Sequence, residues 1–431
     1  MGWLNKTAPS CAAVSAANSS DAMTFPATGL PAGGQKLHLS MVGSRRGGGE
    51  LTGGGGAEAG RLQRAGSIGA HHPPCVSIIV PVRNEDAYIG SCLSHLIGQT
   101  YPRERMEIII VDCLSDDGTR KIVGEIQAEG TRRAERGAAP IVRLIDEPKH
   151  HRAAALNAGI KAAAGDIVVR IDARSIVPPD YVERCVSTLL ETGADNVGGI
   201  QEPIARAPMQ KAIGAAMAHP FGVGNAQFRI GRKSGPVDSV YLGSFRREVF
   251  DRVGLFDDSV PVISEDSDIN QRIRESGGIV YLNTAIHAHY YPRETLGGLW
   301  RLYFHYGGAR AGNLLKHGNL TAWRQWVPPA FVLLLGVLGG LAVVDRARLP
   351  LLIVVAGAYL LCDVGVSGYL GYTRGEWFLW PRLLAVFPAM HIAWALGFLT
   401  RIITRVCAQS PAGIRGALGN RRRAFNSRQR R

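Results

Sequence analysis

The chain has 431 residues, a formal net charge of +14 and 46% hydrophobic residues, long enough for one large domain, or two, with a substantial core. Its seven cysteines are scattered without a C-x-x-C pair, so neither a zinc site nor a disulfide framework is indicated, and a reducing compartment fits them. Much of the positive charge lies in residues 401–431, which carry nine Arg and no acidic side chain; beside apolar segments such a tail points to an anionic cytoplasmic leaflet and away from nucleic acid.

Residues 1–74 are rich in Gly, Ala and Ser, with runs such as Gly47-Gly48-Gly49, and show no sustained apolar periodicity. They are predicted to be disordered, because they cannot bury enough surface to offset the entropy of ordering. They lack the compact apolar core of a signal peptide, so export of the following domain is not expected. Translation from Met41 is the alternative this composition leaves open.

Residues 75–295 alternate apolar runs with polar punctuation. Val76–Val82 reads as a buried strand, followed by Arg83-Asn84-Glu85 and a helix over Ala87–Ile97. Glu107–Asp112 is a second strand ending on a carboxylate, and Ser115-Asp116-Asp117-Gly118-Thr119 supplies turn and N-cap residues for the next helix. Ile141–Ile145 is a third strand; a helix from about Arg152 to Ala164 leads to a fourth, Asp166–Asp172, again ending on Asp. Continuous apolar strands alternating with helices predict an α/β fold, a mostly parallel sheet covered on both faces. Ligands of such sheets bind beyond the carboxyl ends of the strands, where Asp112 and Asp172 fall. Either alone is ordinarily a turn or N-cap aspartate; two at equivalent places favour a function. No G-x-G-x-x-G follows the first strand and no G-x-x-x-x-G-K-[ST] occurs, which argues against a dinucleotide oxidoreductase or P-loop ATPase.

Farther on, Ser264-Glu265-Asp266-Ser267-Asp268 precedes a predicted helix carrying Gln271 and Arg272. Val327–Val344, Leu349–Gly371 and Leu383–Leu399 each approach the ~20 residues needed to cross hydrocarbon, the first weakened by Pro328-Pro329. Residues 296–326 mix Leu, Trp, Tyr and Phe with Arg and Lys, as an interfacial helix does, or a helix packed on the preceding domain. Asp363 is costly inside the second apolar segment, with a packing role and an acceptor-path role both open. Three crossings would put residues 75–295 and the Arg-rich tail on opposite sides, so a re-entrant segment, a fourth weak span or an exception to the charge rule is required.

The ordered set Pro81-Val82-Arg83-Asn84-Glu85, Val111-Asp112 with Ser115–Thr119, Ala155-Leu156-Asn157-Ala158-Gly159, Gly165-Asp166 leading to Asp172, and Glu265-Asp266 resembles family 2 glycosyltransferases over about residues 75–295. Gln271-Arg272, Tyr290–Thr295 and the apolar tail look more specifically like succinoglycan-type bacterial exopolysaccharide glucosyltransferases. The resemblance implies a GT-A fold, a nucleotide-sugar donor and inversion at the anomeric carbon. It places Pro81, Asn84, Glu85 and Asp112 around uridine, Asp172 near ribose and diphosphate, and Asp266 as catalytic base. A carboxylate suits both roles, as a charge-assisted acceptor and as a proton acceptor for an attacking hydroxyl. Asp268 ranks second as base. Glu265 either raises the pKa of Asp266 by like charge or is an exposed neighbour. Gln271 and Arg272 are candidates for diphosphate or an acceptor phosphate, with a solvated helix face as the alternative.

The sequence departs from the family at Asp172-Ala173-Arg174, where most members carry Asp-x-Asp and the second Asp ligates a divalent ion. Either Asp172 holds Mg²⁺ or Mn²⁺ with the diphosphate and His287 or His289, or Arg174 itself neutralises diphosphate charge. The leading reading is a multi-pass inner-membrane enzyme, catalytic domain cytoplasmic, that transfers a hexose from a UDP-sugar (UDP-glucose by resemblance) to a lipid-linked oligosaccharide. Other polysaccharide assembly proteins are possible partners. A polyprenyl-phosphate acceptor and an inactive scaffold remain the alternatives.

Overall fold

The computed structural model describes residues 73–134, 139–258, 264–318 and 323–409. The expected disordered segment lies almost wholly outside them, as does the Arg-rich tail beyond residue 409. Strands β1 (Val76–Val82), β2 (Met106–Asp112), β3 (Ile141–Asp146) and β4 (Ile167–Arg170) pair in parallel in the order β3-β2-β1-β4. Along β1, Ile78 and Val80 enter one apolar cluster and Ile79 the opposite one, which explains why the strand reads as a continuous apolar run. The helix Asp86–Ile97 closes the first face with Ile89, Leu93 and Leu96; the helix Arg152–Ala162 closes the second with Ala155, Leu156 and Ile160. A Cβ at Gly159 would stand 2.4 Å from Ile79, so glycine sets how closely that helix approaches the sheet.

The fourth strand is shorter than its apolar run suggests. It stops at Arg170, and Asp172 lies in a turn closed by Ser175 N–H donating to the Asp172 carbonyl at 2.8 Å. Beyond it, β5 (Ser175–Ile176), β6 (Asn196–Pro203), β7 (Gly235–Pro236), β8 (Tyr241–Arg246) and β9 (Val280–Tyr290) extend the sheet to the order β3-β2-β1-β4-β8-β6-β9-β5, with β7 on β9. β8 runs antiparallel to β4 and β6, while β6 and β9 are parallel.

Three C-terminal helices are long and apolar enough to cross a membrane: Trp323–Val344, Arg346–Thr373 and Leu379–Cys407. Pro328 and Pro329 do not weaken the first, because they occupy its opening turn, where no backbone N–H is needed. The helices differ in surroundings: 17% and 6% of the first two apolar windows are buried inside the protein, against 50% of the third. The third is clasped by the helix Pro208–Met217, through Ala212, Ile213 and Ala216 against Leu383, Phe387 and Met390. It is clasped again by the helix Leu296–His317, where Cβ atoms at Gly307 and Gly397 would each stand 1.9 Å from a carbonyl oxygen of the facing helix. Residues 296–317 therefore pack on the protein rather than lie free. Asp363 is buried, and its carboxylate accepts from the Ser367 hydroxyl at 3.0 Å.

Candidate active site

The loops after β1 and β2 are tied together by their own polar groups. Asn84 adopts φ 54°, a left-handed conformation that asparagine tolerates. Its Nδ2 donates to Asp116 at 2.7 Å, its Oδ1 accepts from the Asp116 N–H at 3.0 Å, and its own N–H donates to the Ser115 hydroxyl. Glu85 donates its N–H to Thr119 and offers its carboxylate to Arg174 Nε at 2.8 and 3.0 Å, while the guanidinium lies 4.8 Å over the Tyr88 ring. Arg174 thus belongs to the Asn84–Glu85 loop. Pro81 is half-buried on β1 beside it. Asp112, expected at the uridine, is buried with no exposed surface. Its carboxylate accepts from the Ser115 hydroxyl at 2.5 Å and Arg120 Nη1 at 2.5 Å, so it holds the β2 loop in shape.

At the end of β4 the buried Arg170 gathers three carboxylates. Its guanidinium donates to Asp172 at 3.1 and 3.2 Å, to Glu265 at 3.3 Å and to Asp266, and Arg152 reaches Glu265 at 3.2 Å. Burial works against ionisation of Asp172 and Glu265, but the attraction of Arg170 and Arg152 outweighs it and holds both below the usual carboxylate range. Asp266 goes the other way: burial, with the like charges of Glu265 and Asp172, pushes it up to about 6 against the pull of Arg170. Three neighbouring carboxyl groups are thereby separated into two anions and one of raised basicity, the arrangement from which acid–base assignments follow.

The exposed part of Asp266, 36% of its side chain, opens into a cavity of about 800 Å³. Asp172, Glu265 and Arg152 share that end; at the other lie Phe331, Tyr359, Met390 and Trp394 of the apolar helices. The cavity connects the carboxylate cluster to the segments that can enter a bilayer.

Residues 77–254 match the model of the family described as glycosyl transferase family 2. The chain carries a family 2 glycosyltransferase domain. The expected GT-A-type α/β fold followed by apolar helices is the one observed. The glycosyltransferase is 29% identical over 333 residues to the succinoglycan biosynthesis protein ExoA of Rhizobium meliloti, covering 76% of this chain and 94% of that protein. It is 25% identical to a dolichyl N-acetyl-α-D-glucosaminyl phosphate diacetamido-dideoxy-glucuronosyltransferase of Methanococcus voltae, over 62% of this chain and 83% of the relative. Among solved structures it resembles the mannosyltransferase PcManGT of Pyrobaculum calidifontis in complex with GDP-Man and Mn²⁺, at 20% identity and TM-score 0.48, covering 80% and 93% of the two chains.

Several expected site residues of the glycosyltransferase sit elsewhere. Asp268 is fully buried away from the cavity and accepts from Arg272 (3.0 Å), Lys316 (2.6 Å) and His317 (2.8 Å), which pins the helix Glu265–Glu275 to Leu296–His317. Arg272 is spent on that carboxylate and on the carbonyls of Val253, Gly254 and Leu255; Gln271 is buried and donates to Glu275 at 2.8 Å. Neither lines the cavity. His287 and His289 both turn to Glu202, at 2.9 and 3.4 Å, and do not join Asp172. Among the described residues no three His, Cys, Asp or Glu side chains are grouped to hold a metal. Of the carboxylates on the cavity, Asp172 is the one at the position where the family's motif holds its ion, and Arg174 stands where the second ligand would be. Such a site suits an ion that takes most of its ligands from phosphate and water, as Mg²⁺ does, rather than a resident one. Arg170 and Arg152 are the functional candidates that sequence reasoning passed over. The available signal was a charged residue inside the otherwise apolar run Ile167-Val168-Val169-Arg170-Ile171.

Proposed function

We propose that this enzyme transfers a hexose, glucose by resemblance, from a UDP-sugar to a lipid-linked saccharide in exopolysaccharide synthesis at the cytoplasmic face of an inner membrane. The carrying observation is the cavity that begins at Asp266 and ends among the apolar helices, because such a shape suits an acceptor whose lipid stays in the bilayer. The name of the Rhizobium meliloti relative supports the pathway class. The Asn84–Glu85 loop with Arg174 and Tyr88 takes the nucleoside end of the donor. As the acceptor oxygen bonds to the anomeric carbon and the bond to the diphosphate oxygen breaks, the hydroxyl proton passes to the Asp266 carboxylate and UDP departs. Arg152 and Arg170 keep Glu265 and Asp172 ionised, which leaves Asp266 the most basic of the three. A divalent ion, Mg²⁺ or Mn²⁺, carried on the diphosphate would have Asp172 as its one carboxylate and would offset charge on the leaving group.

We also propose two membrane crossings. The first apolar helix leaves from the catalytic side at Val327. The second returns to it, since Glu376, just after Thr373, pairs with Lys211 of the catalytic domain at 2.5 Å. The third, half enclosed by catalytic-domain helices, then lies along the membrane surface, and the basic tail stays on the catalytic side. The name of the Methanococcus voltae relative, a transferase acting on a dolichyl-linked sugar, supports the lipid-linked saccharide acceptor. A polyprenyl-phosphate acceptor is the second reading, favoured by the name of an undecaprenyl-phosphate 4-deoxy-4-formamido-L-arabinose transferase of Pseudomonas savastanoi, 32% identical over 36% of this chain and 44% of that protein.

The test is transfer from radiolabelled UDP-glucose into lipid extract by membranes holding wild type or Asp266→Asn, each with and without EDTA. The expected result is lipid-linked label with wild type, lost in EDTA and restored by Mg²⁺ or Mn²⁺. Asp266→Asn should fall by about 10²–10⁴-fold with UDP binding retained. Full activity of that variant removes Asp266 as base. Transfer indifferent to EDTA removes the ion.

A further inference from the structure

Of the arginines that line the cavity, two, Arg310 and Arg229, are in no ion pair with a carboxylate among the described residues, whereas Arg152 pairs with Glu265 and Arg324 with Asp238. Arg310, on the helix Leu296–His317, donates to the hydroxyl of Ser267, the residue after Asp266, and lines the cavity. Among the described residues no carboxylate comes within ion-pair distance of it. The charged groups that act on it most are Asp238 and Arg324, which pair with each other at 2.7 Å, and Asp266, which Arg170 already holds. Arg229 also faces the cavity, with its guanidinium 5.3 Å over Phe228 and 6.0 Å over Tyr290. The ionisable groups acting on it are Tyr290, Tyr303 and Tyr306, with no carboxylate among them. Burial depresses the pKa of Arg310, yet a guanidinium stays charged in a protein.

Enclosed cations without counterions are costly, and removing charge from water is offset only by a partner of opposite sign. Arginine is also the side chain whose fork matches phosphate oxygens in two parallel hydrogen bonds. Both residues stand on the cavity wall shared with the apolar helices, whereas the Asn84–Glu85 loop and Arg174 lie outside that cavity's lining. Resting on the reading of a lipid-linked acceptor, we infer that Arg310 and Arg229 form the subsite for the phosphate or diphosphate that joins the acceptor to its lipid. The lipid chain then runs past Phe331 and Trp394, and the saccharide, or the phosphate oxygen itself, faces Asp266.

The experiment measures equilibrium binding to the full chain in detergent, with no donor present. The probes are farnesyl phosphate, farnesyl diphosphate and uncharged farnesol, with UDP in parallel, on wild type, Arg310→Gln, Arg229→Gln and Arg310→Lys. Wild type should bind the two anionic probes at least about tenfold more tightly than farnesol, as charge-assisted hydrogen bonds require. Each glutamine variant should lose about tenfold for the anionic probes, with farnesol and UDP binding unchanged; Arg310→Lys should fall between. Tighter binding of the monophosphate favours a lipid phosphate as nucleophile, and tighter binding of the diphosphate a saccharide on a lipid diphosphate. Farnesol binding as well as its phosphate in wild type overturns the inference without recourse to any variant. So does a loss of UDP affinity in folded Arg310→Gln, which would assign the anion to the donor. Absence of transfer into lipid extract with intact selectivity for prenyl phosphate would instead defeat the proposed reaction and leave this subsite standing.

Discussion

Replacing Arg170 by Met removes the cation that, among the described residues, is in ion-pair contact with all of Asp172, Glu265 and Asp266, at a position only 3% exposed. Arg152 remains, paired with Glu265 and acting on Asp172 and Asp266 from farther off. Two unit charges about 4 Å apart at an effective dielectric near 20 attract by about 4 kcal/mol, or about three pKa units. More than a third of the Asp266 side chain opens into the cavity, where solvent screens the pair, so a shift of about one to two units is the realistic expectation. Losing a cation raises a carboxylate pKa, so the acid limb of kcat/KM, expected near 6 in wild type from the raised pKa of Asp266, should move to roughly 7–8. A base works deprotonated, so activity falls as pH drops through that limb. At pH 7 the loss is roughly two- to tenfold, and by pH 9 the rate should return toward wild type. The assay is transfer to lipid extract across pH 5–9 at low donor concentration, with UDP binding measured at each pH. An acid limb that stays near 6, or a loss equal at pH 7 and pH 9, would refute the idea that Arg170 sets the basicity of Asp266.

Asp268→Asn leaves Arg272, Lys316 and His317 facing a neutral amide, so thermal unfolding should show a loss of about 3 kcal/mol; a stable variant with kcat alone abolished would return Asp268 to the chemistry. Gly307→Ala drives a methyl group to 1.9 Å from the Trp394 carbonyl oxygen and should cost about 1–3 kcal/mol or more, read as a lowered melting temperature in detergent; an unchanged melting temperature would mean that the two helices separate easily. A cysteine introduced at Ser427 and one at Ser187 should be labelled by an impermeant maleimide from the same face of sealed vesicles, since the chain is expected to cross twice. Labelling from opposite faces would make the third apolar helix a true span.

Local chemistry made much of this protein legible in advance. β1 and β2 were readable because a parallel strand buried on both faces must be apolar throughout; β3, at the sheet edge and only partly buried, was readable from its run of Ile, Val and Leu. A lone aspartate at a strand end or helix start is ordinarily a cap; Asp172 stood out because Asp112 repeats it at an equivalent strand end, and Asp266 through the family motif Glu265-Asp266. The sequence ranked Asp266 above Asp268 by resemblance, without a physical reason, because the two differ in what lies opposite them across the fold: a cavity for one, Arg272, Lys316 and His317 for the other. Nor could it predict that Asp112 is consumed by Arg120 and Ser115, or that His289 turns to Glu202. The second half of the sheet was missed because β5 and β7 are two residues each, too short to show a period, and because β6, β8 and β9 interrupt their apolar residues with Gly198-Gly199, with Gly243-Ser244 and with Asn283-Thr284. Arg170, Arg229 and Arg310 acquire meaning only from groups far along the chain, since a charge is defined by its neighbours in space and those are set when helices and strands pack. Composition determined that three segments are apolar enough for a bilayer. Packing decided that the third is half enclosed by the catalytic domain, because hydropathy measures a segment's preference for burial and not whether lipid or protein provides it.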